Sequence, residues 1–283
     1  MYNGERFLAQ ALDSLLAQTV TDLELIISDN ASTDGTPALC REYVRRDPRV
    51  RYVRQPVNIG APRNWNAVVH EARGTFFKWA SANDTCAPTM LERCVARMQT
   101  DPGIVLCQGL TQLVDEDERP IQVYGGDASF DDERPSDRYA RVAKQMEMNN
   151  AQSGVIRLDV LRRTGLDRLY PSGDMALMAE LALYGKFVVL PEVLLTRRQG
   201  AATFSAMKTP LEAHRLFKPD AKAPMRLLVV RRHLDALASI ARARIPVREK
   251  LRACRIALTL ARWDRVRMWR ELLAWWRDRG GAG

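Results

Sequence analysis

The sequence predicts an α/β fold: a mostly parallel, doubly wound sheet with helices on both faces, followed by a C-terminal helical extension. Along the first two hundred residues, helix-like and strand-like patterns alternate, which is typical of such sheets. In residues 23–36 and again in residues 76–84, an apolar strand-like run ends abruptly in small, acidic and amide residues. Parallel strands deliver such residues to the carboxyl edge of the sheet, which is where nucleotides bind in this fold class.

The individual helices and strands follow from apolar periodicity and from residues that start or stop a helix. Residues 5–18 place their apolar side chains on one stripe, which predicts an amphipathic helix. Thr36 and Pro37 form a good helix start, and Asp47 followed by Pro48 ends that helix. These signals predict, in order, helix 5–18, strand 23–28, helix 36–46, strand 49–55, helix 64–72, strand 75–80, helix 88–100 and strand 104–114.

The composition is that of a globular protein. Hydrophobic residues make up 46% of the 283 residues, which is ample for a buried core. The longest apolar runs are much shorter than the roughly 18 to 20 residues that span a bilayer, and the N-terminus has no apolar secretory segment. The five cysteines are odd in number and scattered, without a CxxC pair, as expected of core residues in a reducing compartment. The sequence therefore predicts a cytoplasmic protein.

The net charge of +9 is distributed unevenly along the chain. Residues 205–283 contain 19 Lys and Arg against 7 Asp and Glu, whereas residues 1–204 contain 24 against 27. We therefore predict a boundary between a main domain, residues 1–204, which the resemblance described below implies to be catalytic, and a basic helical extension, residues 205–283.

The extension is predicted to form basic helices over residues 225–243, 246–262 and 266–277. Four tryptophans recur among its leucines at helical spacing: Trp263, Trp269, Trp275 and Trp276. One interpretation is peripheral attachment to the anionic inner face of the cell membrane; the alternative is that the apolar faces pack on the catalytic domain or pair across a homodimer. Lipid headgroups fit this pattern better than nucleic acid, so no nucleic-acid partner is expected.

One element is missing from the expected alternation. The chain opens on MYNGERF, so its first helix has no strand before it, although a doubly wound sheet normally places its first strand centrally. We expect Met1 to lie at the end of such a strand, and the chain to be less stable than one that possesses it. An upstream extension that improves neither yield nor thermal stability would contradict this expectation.

Three segments carry a resemblance to a known family: YNGERFLAQALDSLLAQT, LELIISDNASTDGT and NIGAPRNWNAVVHEARGTFFKWASAND. Their content and order resemble the nucleotide-binding half of inverting family 2 glycosyltransferases with the A-type fold. The resemblance extends over residues 1–200. It implies a nucleotide half over residues 1–114 and an acceptor half over residues 115–204.

The resemblance implies that five residues bind the donor, a nucleotide-diphosphate sugar. Asp29, at a strand end, is expected to accept a hydrogen bond from the base, and Tyr2 to stack on that base. Arg63, at the start of a helix, is expected to approach the diphosphate. Asn83 is expected to contact the ribose, and Arg198 to close over the diphosphate.

The residues themselves leave simpler interpretations open. Asp29 could only cap its turn through an Asx hydrogen bond, as Ser32 and Asp34 are expected to do. Arg63 could be a solvated surface arginine, and the pair formed by Arg198 and its neighbour could belong to a plain basic loop.

The resemblance also implies a metal site and a catalytic base. Asp84 is expected to hold a Mg²⁺ or Mn²⁺ ion on the diphosphate. Ser81 and Asn83 stand where this family often has acids, so we expect weak metal binding without nucleotide. Asp174, at the start of a helix, is expected to take the proton of the acceptor hydroxyl, although Asp at a helix start is also an ordinary cap. Glu180, in the same helix, is expected to be structural or solvated.

The sequence thus predicts a metal-dependent inverting glycosyltransferase acting on a saccharide or lipid-linked acceptor, in cell-surface polysaccharide synthesis. A sugar nucleotidyltransferase and a non-catalytic nucleotide-sugar-binding or scaffold protein are the alternatives. No Walker phosphate loop, no GxGxxG motif and no Ser-His-Asp order occurs, which argues against an NTPase, a dinucleotide oxidoreductase and a serine hydrolase.

Overall fold

The computed structural model describes residues 1–200 and 209–280. The described chain alternates helices and strands in its first part and is helical in its last. The helices are α1 Glu5–Leu16, α2 Thr36–Arg46, α3 Ala61–Glu71, α4 Met90–Gln99, α5 Pro135–Gln145, α6 Leu158–Leu161, α7 Gly173–Tyr184, α8 Pro210–Phe217, α9 Leu228–Arg242, α10 Val247–Trp263 and α11 Arg265–Gly280. The strands are β1 Leu25–Asp29, β2 Val50–Arg54, β3 Phe76–Phe77, β4 Thr85–Cys86, β5 Ile104–Val114, β6 Pro120–Val123, β7 Val155–Arg157 and β8 Lys186–Arg198.

The α/β class and the C-terminal helices agree with the prediction from sequence. Strands β1 and β2 pair in parallel, and the two longest strands, β5 and β8, pair in parallel along almost their whole length. The larger sheet has the order β3-β7-β5-β8-β4, and β6 pairs with β5. The short strands of this sheet form antiparallel pairs with their neighbours. The region expected to be a strand over residues 75–80 forms only the two-residue strand β3, which pairs with β7.

Met1 takes a strand position beside β1. Its ammonium group donates a hydrogen bond of 2.6 Å to the carbonyl oxygen of Ser28, and its carbonyl oxygen accepts one of 2.7 Å from the amide of Asn30. This alternation is the pattern of a parallel bridge opposite Asp29. Burial lowers the pKa of the Met1 ammonium to about 6, although the nearby Asp29 opposes this effect.

Three apolar clusters form the core. One lies between α1, α2 and the β1–β2 sheet, and a second lies beneath α4 against β5 and β8. The largest surrounds α5 and α7 and includes Ile240, Ala243, Ala253 and Ala257 from the C-terminal helices. Helices α9 and α10 therefore share the core of the preceding chain.

Helix α7 is buried along most of its length. Its residues 177–183 are all buried, because α5 packs on one side of the helix and α9 on another. Glu180 lies within this buried stretch and is fully covered. Its carboxylate oxygens lie 2.6 Å from Arg168 Nη2 and 2.6 Å from Arg242 Nη1, so it joins α9 to the segment that precedes α7. Of the two roles expected for Glu180, structural or solvated, its burial and its contacts correspond to the structural one.

None of the helices within residues 1–200 and 209–280 combines the length and apolar character needed to cross a membrane.

Candidate active site

Asp29 is the last residue of β1, and its carboxylate is completely buried. Its Oδ1 accepts a hydrogen bond of 2.8 Å from the amide of Ser32, and its Oδ2 accepts one of 2.7 Å from the hydroxyl of Tyr52. Arg54 Nε lies 3.7 Å from the same Oδ2. Burial favours a raised pKa, but the hydrogen bonds from Ser32 and Tyr52 and the charge of Arg54 outweigh it, and the pKa of Asp29 lies below its usual range. Asp29 is therefore an ionised acceptor that also caps the turn after β1.

Hydrogen bonds connect the loop that carries Tyr2 to this turn. The amide of Asn3 donates a hydrogen bond of 2.9 Å to Ser32 Oγ, and the amide of Glu5 donates one of 3.2 Å to Asp34 Oδ2. Asp34 also caps its own turn as expected, since its Oδ1 accepts a hydrogen bond of 3.0 Å from the amide of Thr36, whereas Ser32 Oγ accepts from the distant Asn3. Tyr2 itself is 49% exposed, so its ring is available to a ligand near the end of β1.

Arg63 lies in the first turn of α3, behind a glycine that the local geometry requires. Gly60 has a φ of +86°, and a Cβ at this position would meet the carbonyl oxygen of Phe217 at 2.3 Å. Arg63 Nη1 lies 3.4 Å from that same oxygen and 3.4 Å from the carbonyl oxygen of Ile59. Arg63 therefore lies between the start of α3 and the end of α8.

Asp84 lies immediately before β4 and is held by the end of β8. Its Oδ1 accepts a hydrogen bond of 3.0 Å from the backbone amide of Arg198. Burial raises the pKa of Asp84, and the cationic side chains of Arg197 and Lys78 partly oppose that effect. The backbone carbonyl oxygen of Asn83, the preceding residue, accepts a hydrogen bond of 3.3 Å from Arg198 Nε.

The guanidinium of Arg198 is buried and bonded on every nitrogen. Its Nη2 donates hydrogen bonds of 2.9 Å to Gln10 and 2.8 Å to Glu118, and its Nη1 donates one of 3.1 Å to the carbonyl oxygen of Glu116. The guanidinium carbon lies 4.1 Å from the centre of the Phe7 ring. Arg198 therefore fixes the loop of Asn83 and Asp84 against α1 and the turn between β5 and β6.

The side chains around Asp84 fit a divalent ion in one way only. Within residues 1–200 and 209–280, no three His, Cys, Asp or Glu side chains come together as a metal site. Mg²⁺ is commonly held by one or two carboxylates together with the phosphates of a substrate. Asp84 fits such an ion as a single protein ligand, with the other ligands supplied by a diphosphate and water.

Asp174 lies in the first turn of α7 and is bonded to the segment of Asn149 and Asn150, which is also bonded to Arg197. Asp174 Oδ2 accepts a hydrogen bond of 3.0 Å from Asn149 Nδ2. The neighbouring Asn150 accepts one of 2.7 Å from Arg197 Nη1, and the charge of Arg197 acts on Asp84. The segment of Asn149 and Asn150 thus contacts both the expected base and Arg197, whose charge acts on the expected metal ligand.

Asp167 belongs to the same region, although sequence patterns did not single it out. The side-chain amide of Gln152 donates a hydrogen bond of 3.0 Å to Asp167 Oδ2. The backbone amide of Gln152 donates one of 3.1 Å to Asn149 Oδ1, and the side chain of Asn149 also bonds to Asp174. Asn66 of α3 bonds the backbone of Asp167 on both its amide and its carbonyl group. The only signal in the sequence is a second acid seven residues before Asp174.

Burial and, to a smaller extent, the charge of Asp174 raise the pKa of Asp167 to about 7. In the unfolded chain this carboxyl has an ordinary pKa of about 4. Between these two values the folded protein binds more protons than the unfolded chain, so the contribution of Asp167 to stability is lost as the pH rises from about 4 to about 7.

Asp167→Asn is expected to remove this pH dependence. The variant should match the wild type near pH 4 and be more stable above pH 7, by at most about 4 kcal/mol, because an amide carries no charge to bury. Urea unfolding of both proteins across this pH range measures the difference. A constant difference at all pH values would contradict a raised pKa at Asp167.

Comparisons with known proteins identify the family and the fold of this chain. Residues 1–159 match the family described as Glycosyl transferase family 2. The match covers more than half of the chain, and the protein belongs to this family of glycosyltransferases.

Individual relatives match over part of their length. The glycosyltransferase EpsJ of Bacillus subtilis is 33% identical over 93 residues, which are 33% of this chain and 27% of EpsJ. The protein Rv1520 of Mycobacterium tuberculosis is 29% identical over 71% of this chain and 57% of its own length. Chondroitin synthase of Escherichia coli is 29% identical over 41% of this chain and 17% of its own length. The chain thus spans less than two thirds of each of these relatives.

Two solved structures share the fold. TarS 1–349 of S. aureus in complex with UDP-GlcNAc has a TM-score of 0.61 at 15% identity, over 88% of this chain and 67% of that one. The mannosyltransferase PcManGT of Pyrobaculum calidifontis, in complex with GDP-Man and Mn²⁺, has a TM-score of 0.52 at 17% identity, over 95% and 80%. The fold is that of A-type glycosyltransferases.

Proposed function

We propose that this glycosyltransferase transfers a sugar, with inversion, from a nucleotide-diphosphate sugar to a saccharide or lipid-linked acceptor in cell-surface polysaccharide synthesis. The observation that carries the proposal is that the neighbouring residues Asn149 and Asn150 bond to Asp174 and to Arg197, whose charge acts on Asp84. In this proposal Asp174 accepts the proton, and a metal ion on Asp84, together with Arg197, holds the diphosphate. The presence of UDP-GlcNAc in TarS and of GDP-Man in PcManGT supports a donor of this class.

Donor binding is assigned to residues around the ends of β1 and β3. The Asp29 turn accepts hydrogen bonds from the base, and the exposed ring of Tyr2 stacks on its face. Arg63, beside the N-terminus of α3, contacts the diphosphate, and Asn83 contacts the ribose. Arg198 acts indirectly in this proposal, because its donors already hold the loop of Asn83 in place.

Asp84 is the proposed ligand of a Mg²⁺ or Mn²⁺ ion that arrives with the donor. When bound, such an ion neutralises charge that develops on the departing nucleoside diphosphate. The Mn²⁺ present in PcManGT supports this assignment. Arg197 and Lys78, whose charges act on Asp84, add positive charge at the same place.

Transfer itself is assigned to Asp174. The acceptor hydroxyl oxygen forms a bond to the anomeric carbon while the bond from that carbon to the diphosphate oxygen breaks. The proton of the hydroxyl passes to the Asp174 carboxylate, and the electron pair of the broken bond leaves with the nucleoside diphosphate. Asn149 orients the carboxylate for this step, since its amide nitrogen donates to Oδ2. We assign the reaction to the cytoplasm, where nucleotide sugars are made.

A nucleoside diphosphate is expected to raise the unfolding temperature of the protein by several degrees. A ligand at about 100 times its Kd stabilises a protein by about 2.7 kcal/mol, which is enough for such a shift. Thermal unfolding with a panel of nucleotides and nucleotide sugars, with and without Mn²⁺, measures this. Absence of a shift with every nucleotide would contradict the proposed donor site.

Two variants of the same residue make this measurement specific to the site. Tyr2→Phe keeps a ring for stacking and should retain the shift, whereas Tyr2→Ala should weaken nucleotide binding about tenfold, because stacking of a base on an aromatic ring is worth about 1–3 kcal/mol. Tyr2 is half exposed, so neither change should alter the unfolding temperature without ligand. Equal binding by both variants would remove Tyr2 from the site.

A further inference from the structure

Helix α11 presents a stripe of large apolar side chains to solvent. Val266, Trp269, Leu273 and Trp276 follow one another at intervals of three and four residues, so they lie on one side of the helix. All four are exposed, and the two tryptophans are 63% and 69% exposed. Single exposed apolar residues are ordinary on protein surfaces, but a row of this size on one helix face marks a surface for interaction.

Helix α10 presents a second stripe of the same kind. Val247, Leu251 and Leu258 are exposed on one side of it, while Ala253 and Ala257 on the other side are buried in the core. The burial of one side fixes which side faces outward. We call the exposed apolar side chains of α10 and α11, with the arginines beside them, the basic apolar face.

The charges around these stripes are almost all positive. Residues 247–277 contain nine Lys and Arg against three Asp and Glu. Arg248, Arg255 and Arg262 recur at intervals of seven residues on α10, so they lie in a row beside its apolar stripe. Arg270 and Arg277 do the same on α11, and all five of these arginines are exposed.

The three acids in residues 247–277 bond to other protein groups. Glu249 is buried and accepts a hydrogen bond of 2.6 Å from the hydroxyl of Ser136 in α5. Asp264 lies 3.1 Å from the ring of His233, and Glu271 accepts a hydrogen bond of 3.0 Å from the amide of Val229 at the start of α9. The three acids therefore stabilise the packing of the helices. The arginines determine the charge of the basic apolar face.

We propose that the basic apolar face binds the surface of an anionic lipid bilayer. Helices α10 and α11 lie in the plane of the interface, with Trp269, Leu273 and Trp276 inserted among the headgroups and the arginine rows on lipid phosphates. Tryptophan suits this depth because its ring is apolar and its N–H group still needs a polar partner.

Charge favours this occupant over a second copy of the chain. In a symmetric dimer the same surface patch meets itself, so the arginine rows would oppose each other with few acids to pair with. A nucleic acid would account for the arginines, but it would leave the Val and Leu residues of both stripes without a function. An anionic bilayer accounts for both features. The inference goes beyond the proposed transfer reaction and does not depend on it.

Flotation of the full chain with phospholipid vesicles tests the proposal. We expect binding to vesicles that contain phosphatidylglycerol, little binding to pure phosphatidylcholine, and weaker binding at high salt. The double variant Trp269→Ser with Trp276→Ser should lose at least about tenfold in binding, because two large apolar side chains no longer enter the interface. Arg255→Gln with Arg262→Gln should also weaken binding, by about fivefold for each arginine.

Matched controls lie elsewhere on the molecule. Ile121→Ser removes a half-exposed apolar side chain from β6, and Arg41→Gln with Arg45→Gln removes two exposed positive charges from α2. Both controls should bind vesicles like the wild type. Nucleotide-induced thermal shifts, measured on the same proteins, should be unchanged in every one, so a failure of membrane binding is distinguishable from a failure of the donor site.

Several outcomes would overturn the proposal. Absence of binding to anionic vesicles would do so, and so would equal binding by the double tryptophan variant. A dimer in solution that the tryptophan changes dissociate would assign the face to a second copy. Tight binding to RNA that persists in the tryptophan variant, without binding to vesicles, would assign it to nucleic acid.

Discussion

Asp174→Asn is expected to lower kcat by about 100-fold to 10,000-fold, with little change in the KM for the donor. An amide cannot take the proton of the acceptor hydroxyl, and positioned general bases contribute rate factors of about this size. Asparagine has nearly the shape of aspartate and can still accept the hydrogen bond from Asn149, so the fold should be retained. Release of nucleoside diphosphate in the presence of acceptor, once a donor has been identified, measures the change.

The simpler interpretation of Asp174, as an acid that only stabilises the start of its helix, has a matched control in this chain. Asp137 lies in the first turn of α5 and is exposed. An acid at a helix N-terminus contributes about 0.3–1 kcal/mol, so Asp137→Asn and Asp174→Asn should cost similar small amounts of stability. Only Asp174→Asn should abolish transfer. Normal turnover by Asp174→Asn would reject its assignment as the base and leave it a capping residue.

The second large effect is expected on stability. Glu180→Ala should reduce the free energy of unfolding by about 3–5 kcal/mol, because it leaves Arg168 buried without its counter-charge. Glu180 also accepts hydrogen bonds from the amide of Gly165 and the hydroxyl of Ser239, at 3.0 Å and 3.3 Å. One substitution thus removes the contacts through which Glu180 joins α9 to the segment that leads into α7. Urea unfolding of the purified proteins measures the loss.

Two further variants separate burial from charge. Asp159→Asn removes an exposed ion pair with Arg163 on α6 and should cost no more than about 1 kcal/mol. Replacing Arg168 and Glu180 together by Met should cost less than Glu180→Ala alone, since no unpaired charge stays buried. A Glu180→Ala variant as stable as Asp159→Asn would show that the ion pairs of Glu180 contribute little.

Glu180 also illustrates a distinction that sequence patterns cannot make. Asp174 and Glu180 are both acids of one helix, and nothing in their spacing separates a solvent-accessible carboxylate from one that is fully covered. Only the packing of α9 on α7 separates them, because α9 supplies Ser239 and Arg242 to Glu180. The sequence does not indicate a role for Asp167 for the same reason. Its raised pKa results from burial and from the nearness of Asp174.

The contacts of the arginines near the site also depend on the tertiary structure. Arg197 and Arg198 are adjacent in a strand, where successive side chains point to opposite faces. The resemblance implied that Arg198 closes over the diphosphate, but the sequence contained no information about the partners of either arginine. In the fold, every nitrogen of the Arg198 guanidinium is bonded to α1 or neighbouring loops, whereas Arg197 reaches Asn150 in the region of Asp174. These partners lie far away along the chain.

The sequence by itself determined the α/β class, most helix bounds to within a few residues, and the polar turns after β1 and β3, because periodicity and turn residues act locally. It also determined the family, through the content and order of three segments. The tertiary structure decided what depends on contacts between distant segments: the two-residue length of β3, the burial of Glu180 and Asp167, and the bonds of Asn149 and Asn150 to Asp174 and Arg197. It also decided which sides of α10 and α11 face outward. Periodicity identifies residues that share a face of a helix, and only packing selects the face that enters the core.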